Sequence, residues 1–173
     1  MIRVRFYLPL ILAFLAACPP PVLAASRATL VLVPFELRDD MRSAPGQAPD
    51  PAEVARVAAL STRIRHAFAK SSRYQLIDGP KVEKAIDNAR ADQRYIHRCG
   101  PCVETIAKRT GAQYVAVGWV QRVSNLITNF NLRIIDAASG EAADQASIDI
   151  RGNDKLSWEA GGKYLLANLH KGL

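Results

Sequence analysis

Two cysteines separated by glycine and proline mark the stretch of the chain richest in reactive groups, RCGPCVETIAKRTGA at residues 98–112. Two thiols at this spacing can exchange disulfides, close a passive cross-link, or supply two ligands to a metal. The segment after them reads as a short helix. Cys99 falls at its N-cap and Pro101 in its first turn, so free amides and the helix dipole would favour a thiolate at Cys99. For a metal, His97 adds a third ligand to Cys99 and Cys102, but no fourth is evident where a structural zinc site uses four. Val103 in place of histidine excludes covalent haem attachment.

The surroundings decide between the first two chemistries. Thioredoxin-like enzymes place such a pair after a buried strand and oppose it with a later cis-proline. Here RYIHR precedes Cys99 and is not strand-like, and the last proline of the chain is Pro101 itself. The compartment points the same way. The chain begins MIRVRFYLPLILAFLAACPPPVLAASRA, with Arg3 and Arg5 ahead of an apolar run from Phe6 to Ala17 and a small-residue site at Val22, Leu23 and Ala24. This is the pattern of a secretory signal peptide over residues 1–24. The run is shorter than the ~20 residues of a transmembrane helix, so no transmembrane segment is expected. An alternative lies in the same leader: Leu15, Ala16, Ala17 and Cys18 resemble the site at which bacterial lipoproteins are cut and lipidated. Pro19 argues against it, because proline stiffens the backbone beside the scissile bond and carries no amide hydrogen. Outside the cytoplasm a close thiol pair tends to be oxidised, and losing Cys18 with the leader leaves an even count. A structural disulfide between Cys99 and Cys102 is the expectation, with a redox-active pair as the alternative. No cofactor is expected.

Other catalytic constellations are missing from the sequence. No Gly-rich phosphate loop and no His-Glu-x-x-His run occurs, and neither Ser61 nor Ser139 has the setting of a hydrolase nucleophile. His66, His97 and His170 are expected on polar surfaces or near ends. Two further groups of polar residues stand out. The first is a basic face on a helix, carrying Arg56, Arg63, Arg65 and Lys70 with no acid after Glu53, which is read as a solvated face, with an acidic partner or an anionic lipid surface as the alternative. The second is a corner of Asp149, Arg151, Asn153 and Trp158, where a strand end meets the cap of the last helix; it is read as structural, with an interaction surface as the alternative. The leader holds two of the 23 basic residues and none of the 16 acidic ones, so residues 25–173 stay basic by five. Export and the lack of exposed aromatics among the basic residues exclude nucleic acid as the partner.

These residues must be held by the elements around them. Residues 28–37, ATLVLVPFEL, read as one buried strand, and residues 38–50 as a mobile loop rich in proline and glycine. Asp50, Pro51 and Glu53 form a helix start with a capping box. The helix runs to about Lys70 with Val54, Val57, Leu60, Ile64, Ala67 and Phe68 inward. A short strand over 74–77 follows, then a helix with Val82, Ala85, Ile86 and Ala89 on one face. The helix after the cysteines turns Val103, Ile106 and Ala107 inward and stops at Gly111. The period then changes from 3.6 to 2. Residues 113–122, 125–136 and 143–151 alternate as three strands of an antiparallel meander, with a turn at Ala138, Ser139 and Gly140. The last helix carries Leu156, Trp158, Leu165, Leu166 and Leu169, with a cap among Gly152, Asn153 and Asp154. Its two internal glycines, Gly161 and Gly162, imply close packing on the sheet or a kink. The fold class is α/β, a single-domain sandwich over residues 25–173 with a mixed sheet of about five strands, an antiparallel C-terminal meander and helices packed on it.

This order, with LVLVPFE, GAQYVAVGWV and LRIIDAASGE, resembles the secreted domain shared by TolB amino-terminal domains and the curli-secretion lipoprotein family. Gly118-Trp119-Val120, Val123-Ser124-Asn125-Leu126-Ile127, Asp149-Ile150-Arg151-Gly152-Asn153 and Ser157-Trp158 are similar to a smaller family of exported bacterial proteins known only as a domain of unknown function. The resemblance implies this fold and a cell-envelope address, and it carries over no catalytic residue. The expectation is a non-enzymatic exported protein, periplasmic or secreted, that binds another envelope protein. The alternatives are a thiol-disulfide accessory protein using Cys99 and Cys102, and an outer-membrane lipoprotein that touches the membrane only through Cys18.

Overall fold

Alternation and helical spacing resolve into three layers in the computed structural model, which describes residues 26–39, 48–124, 126–170 and 172–173. The six strands are β1 (Ala28–Leu32), β2 (Glu36–Asp39), β3 (Tyr74–Leu76), β4 (Tyr114–Arg122), β5 (Ile127–Asp136) and β6 (Ala142–Arg151). They form one open sheet in the order β3-β1-β4-β5-β6, with β2 continuing along β4 beyond β1. β1 is parallel to β3 and β4, pairing Leu30 with Leu76 and with Tyr114, whereas β4, β5 and β6 form the expected antiparallel meander. The four helices are α1 (Pro51–Ala69), α2 (Pro80–Asp92), α3 (Gly100–Thr110) and α4 (Lys155–Ala167).

The single strand expected over 28–37 is broken in two. Val33 N–H still donates to Ala116 O at 2.9 Å, but Pro34 has no N–H to offer. The N–H of Phe35 turns away from the sheet to Ser61 Oγ on α1, at 2.9 Å. Pairing with β4 resumes at Glu36 opposite Trp119. Arg38 and Asp39, read as the start of the loop, are therefore strand residues, and positions 40–47 of that loop lie outside the described residues, as do the leader and Cys18.

Even-numbered residues of β4 and β5 face α1 and α4. There Leu30, Leu32, Ala116, Val120, Phe130, Leu132 and Ile134 meet Val57, Leu60, Ile64, Phe68, Trp158 and Leu165. Odd-numbered residues face the other helices, where Val31, Val33, Val115 and Val117 meet Val82, Ile86, Val103 and Ile106 of α2 and α3. Each such side chain contributes about 1.5–3 kcal/mol on leaving water, so both faces of β1 and β4 are secured.

Helix α1 starts as read, with Asp50 Oδ1 accepting from Ala52 N–H at 2.9 Å, but the capping box does not form. Glu53 is 3 % exposed and reaches across the structure instead, so the buried stripe runs Glu53, Val57, Leu60, Ile64, Phe68. Val54, expected inward, is thereby rotated out and is 47 % exposed. In α4 the glycines mark close packing within an unbroken helix. A Cβ on Gly161 would lie 2.7 Å from Ile150 Cγ2 and 2.8 Å from Phe130 Cε2, and one on Gly162 would lie 3.0 Å from both Leu60 Cδ1 and Arg63 Cδ. Leu156 and Leu126 are 76 % and 74 % exposed. Leu156 sits in the first turn of α4, and Leu126 precedes β5 at the β4–β5 turn.

Candidate functional site at the disulfide, its anchor and the open sheet face

The first turn of α3 is built as the cysteine spacing requires. Cys99 is the N-cap in an extended conformation, and its Sγ accepts the N–H of Cys102 at 3.2 Å. The two residues form a disulfide, with Cα atoms 5.3 Å apart. Cys102 is 8 % exposed beneath the outward-facing Gly100 and Pro101, while Cys99 is half-buried. Gly111 closes the helix in the left-handed region at φ 77°, the conformation glycine adopts without steric cost.

What holds this turn in place was not read from the sequence. Glu36, an acid in an otherwise apolar run, points from β2 to the side of α2 and α3 and is 9 % exposed. Its carboxylate accepts three hydrogen bonds from the segment before Cys99: Ile96 N–H at 2.7 Å, His97 N–H at 3.1 Å, and the His97 ring at Nδ1, 2.5 Å away. Burial works to raise the Glu36 carboxyl, but the bonds from the His97 side chain and the two backbone amides outweigh it and hold it below its ordinary value. The His97 side chain, expected on a polar surface, is 4 % exposed. Its ring stacks on Trp119 of β4 with centroids 4.6 Å apart and planes 9° from parallel, and Tyr95 lies against its other surroundings at 5.3 Å. His97 Nδ1 is thus committed to Glu36. RYIHR is a 3₁₀ turn at Ile96–Arg98, a short anchored segment that sets the start of α3.

Beyond Trp119 the same side of the sheet opens. Gln145, Ser147, Asp149 and Arg151 of β6 are exposed, and Asn129, Asn131 and Arg133 of β5 lie beside them in register. Their polar groups are already ordered. Asn129 Nδ2 donates to Asp149 Oδ1 at 2.9 Å and to Ser147 Oγ at 3.1 Å, and Asn131 Nδ2 donates to Asn129 Oδ1. The Arg133 guanidinium lies 5.6 Å from the Trp119 ring centroid. A hollow of about 340 Å³ opens here, lined in part by Trp119, Arg133, Gln145 and His170.

The corner expected from Asp149, Arg151, Asn153 and Trp158 divides between the two sides of the sheet. Asp149 and Arg151 belong to the open face. Asn153 and Trp158 meet on the other side, where Asn153 Oδ1 accepts from Trp158 Nε1 at 3.0 Å and Asn153 Nδ2 donates to Glu53 Oε1 at 3.2 Å. Glu53 also pairs with Arg122, at 3.2 Å. Asn153 is not the cap: Asp154 is, accepting from Leu156 N–H and Ser157 N–H at 2.8 and 3.0 Å. Replacing Asn153 by alanine leaves the buried indole N–H and Glu53 short of a partner, and a loss of about 1–3 kcal/mol is expected. Asp154→Ala should cost about 1 kcal/mol as a cap. Chemical denaturation of the two variants separates the roles.

The basic residues of α1 also disperse. Arg56 lies over Trp158, its Cζ 5.6 Å from the ring centroid, and Arg63 pairs with Glu159 of α4 at 3.5 Å. Arg65 pairs with Asp78 on the opposite flank and donates to Leu32 O at 3.4 Å, while Lys70 is the exposed C-cap. Acids from other elements therefore answer two of the four cations.

The DUF3280 family model, described as "Protein of unknown function (DUF2380)", matches residues 28–169, from β1 to the end of α4. The chain belongs to this family. The DUF3280 match spans Trp119, the Val123–Ile127 turn and the 149–158 segment on which the resemblance to an exported family rested. No curated protein matches the chain. Among solved structures, the DUF3280 chain is similar to the lipoprotein GNA1162 from Neisseria meningitidis, with 18 % identity over 82 % of this chain and 97 % of that one, at a TM-score of 0.52. It is also similar to the LpoB C-terminal domain from Salmonella enterica, with 14 % identity over 74 % of this chain and 87 % of that one, at a TM-score of 0.47. At these identities the likeness is one of fold. Among the described residues no helix is long and apolar enough to cross a membrane.

Proposed function

We propose that the protein is a non-enzymatic accessory component of the cell envelope that binds another protein through the open face of β5 and β6. The observation that carries this reading is the ordered network from Asn131 through Asn129 to Ser147 and Asp149. Side chains already fixed by hydrogen bonds lose little freedom on docking, so their contacts contribute more fully to affinity. Trp119 and Arg133 at the margin are of the types enriched where binding energy concentrates. The test is capture from envelope extract by the purified exported protein, compared with a folded variant carrying Arg133→Glu and Asp149→Lys. Stoichiometric retention of one protein, confirmed by reciprocal capture and lost in the variant, is the expected result. Retention unaffected by both changes would overturn the assignment of the face.

The oxidised pair supports a second reading, because the Cys102 N–H bond to Cys99 Sγ is one that would stabilise a Cys99 thiolate after reduction. The structural reading predicts otherwise. Cys99→Ser with Cys102→Ser should lower stability by less than the ~3 kcal/mol of a 15-residue loop, since this loop is much shorter, and the native protein should not turn over a model disulfide substrate. Turnover at the rate of a known oxidoreductase would make the protein a thiol-disulfide accessory factor.

The address belongs to the same proposal: the exported protein is soluble and starts at Ala25, with lipidation at Cys18 as the alternative. Intact mass decides between them. A species that begins at Cys18 and carries acyl chains would place the protein on a membrane.

A further inference from the structure

On the side of the sheet away from the open face, α1 and α4 leave a groove of about 300 Å³ lined by Ala55, Arg56, Ala59, Leu60, Arg63, Lys155, Trp158 and Glu159. Small residues make this space: Ala55 and Ala59 lie one turn apart on α1, and Gly162 of α4 lets Leu60 and Arg63 approach its backbone. The lining is mostly apolar, with the Leu60 side chain and the Trp158 indole as its floor. Its rim is not neutral. Three cations, Arg56, Arg63 and Lys155, stand against one acid, Glu159, which is paired with Arg63. One of the cations is also unsatisfied: Arg56 Nε is buried and has no hydrogen-bond partner among the described residues, although its guanidinium is held over the Trp158 ring. Apolar grooves of this size with a few convergent polar groups are where small ligands bind.

We propose that this groove binds an anionic amphiphile, an aliphatic chain ending in a carboxylate. The chain would lie along Ala55, Ala59 and Leu60 and the head would accept from the Arg56 guanidinium. A guanidinium presents a planar fork of donors that fits a carboxylate, and fixing it over an indole sets its direction before the ligand arrives. The four-residue spacing of Ala55 and Ala59 keeps the chain's path clear of bulk, so one larger side chain there would close it.

Laurate, titrated calorimetrically below its micelle concentration into the purified exported protein, is the probe, with dodecyltrimethylammonium as a cation of the same chain length. Saturable 1:1 binding of laurate is expected, with at least tenfold weaker or no binding of the cation. Arg56→Met keeps an apolar stem over Trp158 while removing the donors and should weaken laurate about tenfold. Ala59→Leu, at an exposed helical position, should abolish binding while the thermal transition stays in place. Equal binding of the two amphiphiles, laurate affinity unchanged in both variants, or the absence of saturable binding to the native protein would each overturn the proposal. The groove and the face of β5 and β6 lie on opposite sides of the sheet, so failure here leaves partner capture by that face intact, and loss of capture leaves the laurate result standing.

Discussion

Glu36→Ala should destabilise the protein by about 3–5 kcal/mol, the range for breaking a buried, charge-assisted cluster. The reason lies in what remains behind. Without the carboxylate, the N–H groups of Ile96 and His97 and the His97 ring lose their acceptor at once, in a place that water reaches poorly because the His97 side chain is 4 % exposed and covered by Trp119. Glu36→Gln keeps the shape and part of the bonding and should lose less. The charge also sets a pH dependence. Because the folded-state carboxyl is held below its ordinary value of 4.5, its contribution is complete above that value and is lost as pH falls through the lowered one. Acid denaturation followed by circular dichroism should therefore be shallower in Glu36→Gln than in the native protein between neutrality and pH 3. An unchanged acid transition would show that the cluster does not stabilise the fold through its charge.

The second large effect is expected at Gly118. This glycine lies in the middle of β4 against the Phe35 ring, and a Cβ built there would lie 2.4 Å from both Phe35 Cε2 and Cζ. Phe35 is 5 % exposed and packed in the core on the α1 side, so the ring has little room to retreat. Gly118→Val should cost about 1–3 kcal/mol or more by overpacking, despite the better strand propensity of valine. The check is a double-mutant cycle with Phe35→Ala, which alone should cost about 3–5 kcal/mol. In that background valine should be tolerated or stabilising, filling the space the ring vacates, so the two changes should couple strongly. Additive losses would mean that the ring and the glycine are independent.

The elements whose signals are local were legible in the chain. The alternation over residues 125–136 placed β5, the Gly111 stop and Cys99 cap framed α3, and the spacing of the cysteines anticipated their bond. The readings that failed were those in which a distant partner outcompetes a local one. Glu53 has the position of a capping-box glutamate, yet Arg122 and Asn153, brought to it by the sheet and by α4, hold it instead. Asn153 looked like a cap because the neighbouring Asp154 and Asn153 are both cap-forming types, and only the indole of Trp158 distinguishes them. His97 looked exposed because nothing adjacent in sequence covers it; Trp119 does so across the fold. The signal that could have led to the anchor was Glu36 itself, since an acid inside an apolar run has to find donors or be excluded from the strand.

The position of β1 in the sheet also bears on how long the chain takes to fold. β4, β5 and β6 are joined by short turns and can zip together locally, but β1 lies between β3 and β4 and pairs Leu30 with Tyr114. Its partner on one side is therefore separated from it by three of the four helices. Closing so large a loop before any contact repays it slows folding. In a vectorially delivered chain, ATLVLV emerges early and waits, apolar and unpaired, until β4 is available. Such a segment is a natural client for a holding chaperone, so the inner strand that makes the finished sheet secure is also its most vulnerable part during synthesis.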